Sequence, residues 1–374
     1  MEIKEIDAIV HDAANRPSDD EQKRMERQTE LRKQIVSMTT TYEEGPAVLA
    51  IDGTAIGHRR DIINIKAAPK QGKSTLISII ISCILCGQWN RLCSETQGLR
   101  VLYLDTEMKE ADTQRIMRMA LTMAGLDVSA NHERLNAVNL RKFAPQEIVT
   151  AIPEYMELLK PDVIIIDGIL DLVNNFNDVE ESQHLVKECL LRWADTYDCM
   201  IVNAIHTNKT NDTHISQGHL GAMLDKKGEL TLECEMEKVT KTVKVSAPLC
   251  RHTDVPTFFF TYGEDGVPVS ADHIGEHLQE QKRITIEQQQ QQKKDQELAE
   301  LFEKVRLLFA NYGVYVNASV LKKDIISNKI RSKNHVKPLL DKFVAKGWLE
   351  LSKDGMNYIL PIPEPEEGEL DLPL

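Results

Sequence analysis

The sequence has no apolar run long enough to cross a membrane. Its longest run, residues 76–86, is well short of the roughly 20 residues that a membrane-spanning helix needs. The first twenty residues carry six acidic side chains and no apolar core, so they do not have the pattern of a secretory signal. We therefore expect a cytoplasmic protein with no membrane partner.

Basic charge is also scarce. Lys and Arg number 45 against 58 Asp and Glu, and this net charge of −13 argues against a surface coated uniformly for nucleic acid, although a local basic patch remains compatible. The seven cysteines are odd in number and scattered through apolar segments, which indicates a reducing compartment. Cys83 and Cys86 form a C-x-x-C pair without a second pair at zinc spacing, so we interpret both as packing residues.

At 374 residues the chain is long enough for two domains. Residues 67–75, AAPKQGKST, lie between two apolar runs and predict a strand, a tight loop and a helix, the setting of a phosphate-binding loop. Lys73 would reach the β- and γ-phosphates of ATP, and the Ser74 hydroxyl would hold Mg²⁺. Ala67 replaces the pattern's first glycine, which requires a negative φ there. The predicted nucleotide-binding residues are Ala68, Pro69, Lys70, Gln71, Gly72, Lys73, Ser74 and Thr75.

Strand and helix patterns alternate from residue 47 onward. Continuous β-branched runs are typical of strands covered on both faces, so we predict an α/β fold with a doubly wound parallel sheet. Three alternating segments without intervening helices then predict an antiparallel extension of that sheet. The predicted parallel strands are 61–66, 100–105, 135–140, 163–167 and 200–205, and the antiparallel ones are 230–236, 242–246 and 257–262.

Composition divides the chain into five regions. Residues 1–39 form a polar helical arm, either solvated or docked on a neighbouring subunit. The α/β domain, residues 40–265, is followed at 266–294 by a polar stretch with five consecutive glutamines, which is a linker or a solvated helix. A small α+β domain, 295–362, precedes the tail 363–374, whose acids and prolines predict disorder. The tail either solvates, binds a partner or shields a basic surface.

The small domain has the pattern of a winged helix-turn-helix. Three helices, at 295–312, 319–327 and 332–346, precede two short strands joined by a turn. Residues 322–346 contain eight basic and two acidic side chains, a concentration that favours contact with duplex DNA. The alternative is a protein-docking module. The predicted DNA contacts here are Lys329, Arg331, Lys333 and Lys337.

Carboxylates stand at the ends of two predicted strands. Phosphoryl transfer from ATP needs one carboxylate in the Mg²⁺ shell and a base that activates water. Asp167, which ends a buried strand, has the position of the metal-orienting acid, and Asp171 is a weaker candidate. Glu107, just past a second strand end, would hold a water molecule in line with the γ-phosphate. Asp105 is the alternative base, or else a helix cap.

Four segments together resemble the RecA-like motor fold: the phosphate loop, LDTEM at 104–108, Asp167, and AIHTNK at 204–209. Within that fold the sequence is most similar to the RepA-type hexameric replicative helicases of plasmids and other mobile elements, with the DnaB group more distant. The resemblance covers about residues 40–265. It implies a homo-oligomer, a hexameric ring, that uses ATP and Mg²⁺.

The resemblance also implies roles for single residues. Glu107 matches the catalytic glutamate, and His206 matches the polar residue that senses the γ-phosphate. The loop 207–218, with Lys209 and Asn211, matches the loop that touches single-stranded DNA in the ring's channel. Its single lysine and lack of an aromatic platform are unusual for tight strand binding.

Arg251 matches the arginine finger that completes a neighbouring subunit's ATP site. Leu249 stands where the DnaB group has a lysine, and Lys244 is an alternative finger. Arg59 and Arg60 are interpreted as solvated, or as reaching an interface.

The sequence thus predicts a Mg²⁺-dependent ATPase that acts on DNA as a ring-forming replicative helicase of a plasmid or mobile element. Its winged helix would bind DNA or a replication partner such as a primase or initiator. The alternative is a non-motor DNA-binding ATPase switch in mobilisation, partition or replication control. A metabolic kinase is disfavoured, because no acceptor pocket can be read from the sequence.

Overall fold

The computed structural model describes residues 19–207, 216–251 and 254–361. The chain divides into two compact units, Met1–Ala271 and Asp272–Leu374. The sequence predicts a second domain only from residue 295, after a linker. The second unit starts earlier because the polar stretch is helical and continues into the first helix of that domain.

The first unit is built from short strands and helices that alternate along the chain. Its strands are β1 (Leu49–Ile51), β2 (Thr54–Gly57), β3 (Ile62–Ala67), β4 (Gln88–Trp89), β5 (Leu92–Cys93), β6 (Val101–Asp105), β7 (Leu135–Asn139), β8 (Val163–Asp167), β9 (Met200–His206), β10 (Leu230–Met236), β11 (Val243–Cys250), β12 (Phe258–Tyr262) and β13 (Pro268–Ser270). Its helices are α1 (Asp19–Lys33), α2 (Lys73–Cys86), α3 (Glu110–Met123), α4 (Pro145–Leu159), α5 (Val179–Gln183), α6 (Leu191–Tyr197) and α7 (Gly218–Lys227). A π-helical segment, His184–Leu190, joins α5 to α6.

Nine of these strands form one sheet in the order β13-β12-β11-β10-β3-β9-β8-β6-β7. The strands from β10 to β7 pair in parallel, and β10 to β13 pair antiparallel. The predicted doubly wound sheet with an antiparallel extension is therefore confirmed.

The sheet is buried on both faces. Alternate side chains of β3 enter different apolar clusters: Ile63 and Ile65 pack with α2 and α3, whereas Ile62 packs with α4, α6 and α7. This explains why the parallel strands are nearly continuous apolar runs. Because these strands pair in parallel, their carboxyl ends lie along one edge of the sheet.

Two features of the first unit differ from the sequence prediction. A second sheet, in the order β2-β1-β5-β4, was not predicted, because two of its strands have only two residues each. Strand β11 also continues past Ser246, where the prediction ended it. Its pairing with β10 shifts between Thr231 and Glu233, and this irregularity accommodates Pro248, which has no amide hydrogen to donate.

The second unit begins with one helix of 38 residues, α8 (Asp272–Phe309). The five glutamines lie inside this helix with exposed side chains, so the segment is a solvated helix and not an irregular linker. The remaining elements are β14 (Tyr315–Asn317), α9 (Ala318–Ser327), α10 (Lys333–Ala345), β15 (Glu350–Leu351) and β16 (Asn357–Ile359).

Three helices and a small sheet in the order β14-β16-β15 enclose one apolar core in this unit. Phe343 belongs to this core, and Phe302 and Trp348 pack against it, with ring centroids 5.2–5.9 Å apart in edge-to-face and tilted arrangements. The three helices and the final two strands follow the predicted order, whereas β14, between α8 and α9, was not predicted. The winged-helix assignment stays a prediction. No helix in the described parts of either unit is long and apolar enough to cross a membrane.

Candidate active site

The phosphate loop connects β3 to α2. Ala67 is the last residue of β3 and has a negative φ, as the replacement of glycine requires, whereas Lys70 (φ 65°) and Gly72 (φ 94°) take the left-handed turns. Gly72 precedes α2 and has no side chain that could cap the helix. The first amide groups of α2 therefore remain available for an anion such as a phosphate.

Strands of the antiparallel extension contact the phosphate loop and the start of α2. A Cβ atom on Gly72 would lie 3.0 Å from Val243 of β11 and 3.2 Å from Phe260 of β12. Thr75 shares a hydrogen bond of 3.1 Å with the Tyr262 hydroxyl, and the Met236 amide donates to Gln71. Strands β10, β11 and β12 thus hold the loop conformation, and β11 is the strand that leads to Arg251.

Four ionisable side chains meet where β3, β9, β8 and β6 end. Lys73 Nζ lies 3.1 Å from Asp167 Oδ1 and 3.9 Å from Glu107 Oε1, and His206 Nε2 lies 3.5 Å from the same Glu107 oxygen. The exposed fraction of the side chain is 2% for Asp167 and 8% for Lys73, but 36% for Glu107. The cluster is therefore shielded from solvent at Asp167 and accessible to solvent at Glu107.

The register of the parallel strands explains why these side chains lie close together. Asp105 of β6 stands beside Asp167 of β8, and His206 of β9 stands beside Ala67, at the start of the phosphate loop. Because parallel strands end at one edge, residues far apart in sequence are brought within contact distance.

The electrostatics of the two carboxylates differ. The adjacent His206 lowers the pKa of Glu107, and Lys73 acts in the same direction against the opposing effect of burial. Burial raises the pKa of Asp167 even though Lys73 opposes that change. Tyr103 donates a hydrogen bond of 2.9 Å to Asp167 Oδ2, and its own pKa is raised by burial and by that carboxylate. Glu107 is thus the carboxylate that stays ionised most readily.

Asp105, the rival base, has both carboxylate oxygens engaged in the turn after β6. One accepts from the backbone amides of Glu107 and Met108 at 3.0 and 2.9 Å, and the other accepts from Thr113 at 2.6 Å. It therefore holds the turn that presents Glu107. It does not cap the following helix, whose N-cap residue is Lys109, without a side-chain cap.

The turn after β8 packs on the same loop. Thr106 Oγ1 lies 2.8 Å from Asp171 Oδ2 and 3.0 Å from the carbonyl oxygens of Asp167 and Gly168. Gly168 has φ 99°, and a Cβ atom there would lie 2.1 Å from Thr106 Oγ1. Asp171 thus contacts the turn through Thr106, and burial raises its pKa.

Sequence reasoning missed Tyr103, Thr106 and Gly168. A signal was present for two of them, since Thr106 stands inside the LDTEM segment and Gly168 directly follows the carboxylate Asp167. The sequence gives no such signal for Tyr103, because the pattern indicates only another apolar residue of the strand.

The residues present fit ATP with Mg²⁺. Lys73 Nζ and Asp167 Oδ1 are buried and, although 3.1 Å apart, have no hydrogen bond of acceptable geometry within the described chain. Such atoms are suited to a phosphate oxygen and to a ligand of the metal shell. The described residues contain no group of three or more His, Cys, Asp or Glu side chains that could hold a metal ion. Ser74 and Asp167 are the residues that would hold Mg²⁺ together with the phosphates.

Arg251 lies outside this cluster. It directly follows β11, at the opposite end of the strand from Val243, and its guanidinium donates to the carbonyl oxygens of Lys226 and Lys227 at 3.1 and 3.2 Å. Lys244, the alternative finger, lies 3.8 Å from Glu235. Neither joins the four-residue cluster of its own subunit.

The remaining predicted residues are also placed away from the cluster. Arg59 bonds to Asp162 and Asp198, and Arg60 bonds to Asp198, so both are engaged within the subunit. Lys209 and Asn211 lie outside the described residues. The second unit exposes the other four predicted DNA contacts, Lys329, Arg331, Lys333 and Lys337.

The strand order, the phosphate loop and the carboxylates at the sheet edge define a P-loop ATPase domain of RecA-like α/β fold. A family model described as an AAA domain matches residues 56–212, less than half of the chain. No curated protein matches the sequence.

The solved structures similar to this chain include the following two. One is an ATPase domain, which aligns with 14% identity and a TM-score of 0.44, over 57% of this chain and 85% of that one. The other is a KaiC-like protein from the hyperthermophilic archaeon Pyrococcus horikoshii OT3, which aligns with 13% identity and a TM-score of 0.44, over 62% of this chain and 100% of that one. The fold assignment rests on this chain's own strand order and phosphate loop.

Proposed function

We propose that this chain is a Mg²⁺-dependent ATPase motor that works on DNA as a homo-oligomeric ring, a replicative helicase of a plasmid or mobile element. The observation that carries the proposal is the cluster of Lys73, Glu107, Asp167 and His206. It brings together a cation for the phosphates, an acid for the Mg²⁺ shell, a base for water and a histidine beside that base, whereas Ser74 and Arg251 stand outside it.

The cluster assigns a step to each residue. Mg²⁺, held by Ser74 and Asp167, would neutralise charge on the β- and γ-phosphates when bound. Lys73 adds positive charge at the same phosphates. Glu107 takes a proton from a water molecule, and its lowered pKa keeps it ionised for that step.

His206 connects this chemistry to the DNA-contacting loop. Its ring contacts Glu107, while its carbonyl oxygen accepts from the Gln217 amide at 3.0 Å. The next residue, Thr207, forms an isolated bridge with Ser216, so these two positions are the stem of the loop 208–215. A change at the γ-phosphate would move that stem through His206 and shift Lys209 and Asn211 against a single strand.

Arg251 supports a shared site. It follows the end of β11 opposite Val243, the residue that lies against the phosphate loop, so it would complete the ATP site of the next copy and not that of its own subunit. A finger donated head-to-tail requires a heterologous interface, and closing that interface gives a ring. We take the ring to be a hexamer.

The second unit would be a winged helix that binds duplex DNA or a replication partner such as a primase or initiator. Its exposed basic residues at and before α10 support this assignment. A protein-docking module is the alternative for this unit.

A non-motor ATPase switch in mobilisation, partition or replication control is the second candidate. The net charge of −13 favours it, because a motor that follows a strand usually offers a basic channel.

ATP hydrolysis with and without single-stranded DNA separates these candidates, on protein whose mass in solution is recorded with ATP and Mg²⁺. We expect strong stimulation of a ring-sized species, with Glu107→Gln protein as the inactive control. Hydrolysis that ignores DNA would reject the motor and favour the switch.

A further inference from the structure

A groove on the second unit combines an apolar floor with a basic rim. It lies between α8 and α10, with a volume of about 470 Å³. Leu298 and Leu301 form its floor, and Lys294, Arg331, Lys342 and Lys346 surround it. Its two acidic residues are Asp295, which bonds to Lys346 at 3.0 Å, and Glu297. The groove therefore presents leucine surface and net positive charge together.

The same chain carries a segment of the complementary composition. Residues 362–374, which lie outside the described residues, contain five acidic side chains and three leucines. We propose that this segment, the acidic tail, docks in the groove of its own subunit and occludes the basic surface from nucleic acid.

Chain length and starting point favour this occupant. Leu360, two residues before the tail, packs against the same apolar core as Leu298 and Leu301. An extended segment of this length reaches about 45 Å, more than enough to cross a domain of this size. Because the tail is tethered, its effective concentration is of order millimolar, so a weak intrinsic affinity suffices to fill the groove.

Docking would compete with DNA at a shared residue. Arg331 lines the groove and is also one of the four predicted DNA contacts. The two ligands have the same sign of charge, so they cannot both occupy the surface around Arg331. The occlusion of DNA rests on the proposed function, whereas docking itself does not.

The first test measures a fluorescent peptide of residues 362–374 binding to protein that ends at Pro361. We expect saturable binding with a Kd of about 100 µM, weakened by salt. A peptide in which the three leucines are replaced by serine keeps the charge and should bind at least about tenfold more weakly. No binding, or equal binding of the two peptides, would overturn the docking.

Groove variants locate the peptide. Lys342→Glu should weaken peptide binding at least about fivefold, because it reverses a charge on the rim. Lys304→Glu makes the same change at an exposed position of α8 outside the groove and should bind like the parent protein. Equal effects would place the peptide elsewhere. Thermal midpoints check that both variants fold.

Peptide binding by the full chain shows whether the chain's own tail occupies the groove. The full chain should bind the added peptide about tenfold more weakly than the chain ending at Pro361, because its own tail competes. Equal binding would show that the groove is free for another acidic partner. A competition that depends on protein concentration would assign the groove to a second copy's tail. Both results overturn the proposal.

Duplex affinity tests the occlusion. The chain ending at Pro361 should bind a duplex about three- to tenfold more tightly than the full chain at low salt, and the difference should shrink as salt is added. Unchanged affinity would overturn the occlusion. If neither protein binds duplex, the proposed DNA function of this unit fails, and the peptide measurements still decide the docking.

Discussion

Lys73 and Asp167 face each other as a nearly buried pair with spare hydrogen-bonding capacity, which makes Lys73 the residue on which the site most depends. We predict that Lys73→Ala abolishes ATP hydrolysis, because the phosphates lose their cation and Asp167 loses the charge that opposes the rise in its pKa. Phosphate release is the measurement. Lys109→Ala, which removes an exposed lysine just past the Glu107 turn, should hydrolyse ATP normally. Turnover retained in the Lys73 variant would remove the phosphate-loop assignment.

His206 sets the ionisation of Glu107 at the open side of the same cluster. As its pKa is lowered chiefly by His206, the Glu107 carboxylate stays charged to a lower pH than an ordinary glutamate. Replacing His206 by Ala removes that effect and raises the Glu107 pKa, so the acid limb of the pH–rate profile should move to higher pH.

The shift of the pH–rate profile distinguishes an effect of His206 on the Glu107 pKa from a general loss of activity. A variant that only loses rate would keep the shape of the parent profile, and that result would contradict the role of His206 at Glu107. His273→Ala, an exposed histidine in the second unit, is the matched control and should leave the profile unchanged.

At the scale of elements, the site depends on two turns, after β6 and after β8, that pack against each other. Gly168→Ala should lower hydrolysis at least about tenfold and reduce the thermal midpoint, because the new Cβ would lie 2.8 Å from Glu107 Cγ as well as against Thr106. Both hydrolysis rate and thermal unfolding are measured.

Gly98→Ala is the control that distinguishes the contact of the new Cβ with Glu107 and Thr106 from strain in the backbone. Gly98 also has a positive φ, +76°, but an added Cβ has nothing within 4 Å. Both variants should lose about 1 kcal/mol or more through the left-handed backbone, and only the Gly168 variant should lose hydrolysis. A similar loss of hydrolysis in both would contradict the packing of the two turns.

The parallel strands could be predicted because burial on both faces leaves a continuous apolar run, as in Val163–Asp167. The ends of the predicted strands then place Glu107, Asp167 and His206 near one another. The contact between Thr106 and Gly168 could not, since it depends on how two turns pack. Strand β11 was predicted too short because Pro248 reads as a strand end, although a register shift carries the strand on to Cys250. The glutamine run fits a linker as well as a helix by composition, and composition alone does not distinguish them.

At the scale of the whole molecule, charge is divided unequally. The chain has a net charge of −13, yet residues 322–346 carry eight basic and two acidic side chains. Long-range attraction to nucleic acid would therefore come from the second unit, and the first unit would rely on short-range contacts. The acidic tail belongs to the same unit as the basic segment, so its removal would change the electrostatic field where binding would occur.

Strand β11 spans from the phosphate loop of its own subunit, at Val243, to Arg251 at its other end. If Arg251 completes the neighbour's site, Arg251→Ala should bind nucleotide but lose turnover, and Glu107→Gln should do the same for a different reason. Mixed in equal amounts, the two variants form some interfaces where an intact Glu107 site meets an intact Arg251. Hydrolysis should then rise clearly above that of either variant alone, after correction for protein concentration.

The control for this experiment is a mixture of Glu107→Gln with Lys73→Ala. Both changes lie in the same cluster, so no interface in that mixture restores a complete site, and its hydrolysis should stay at the sum of the two variants. No gain in the Arg251 mixture would contradict a site shared between subunits. Because a finger supplied in trans requires a head-to-tail interface, that result would also remove the structural reason for a ring.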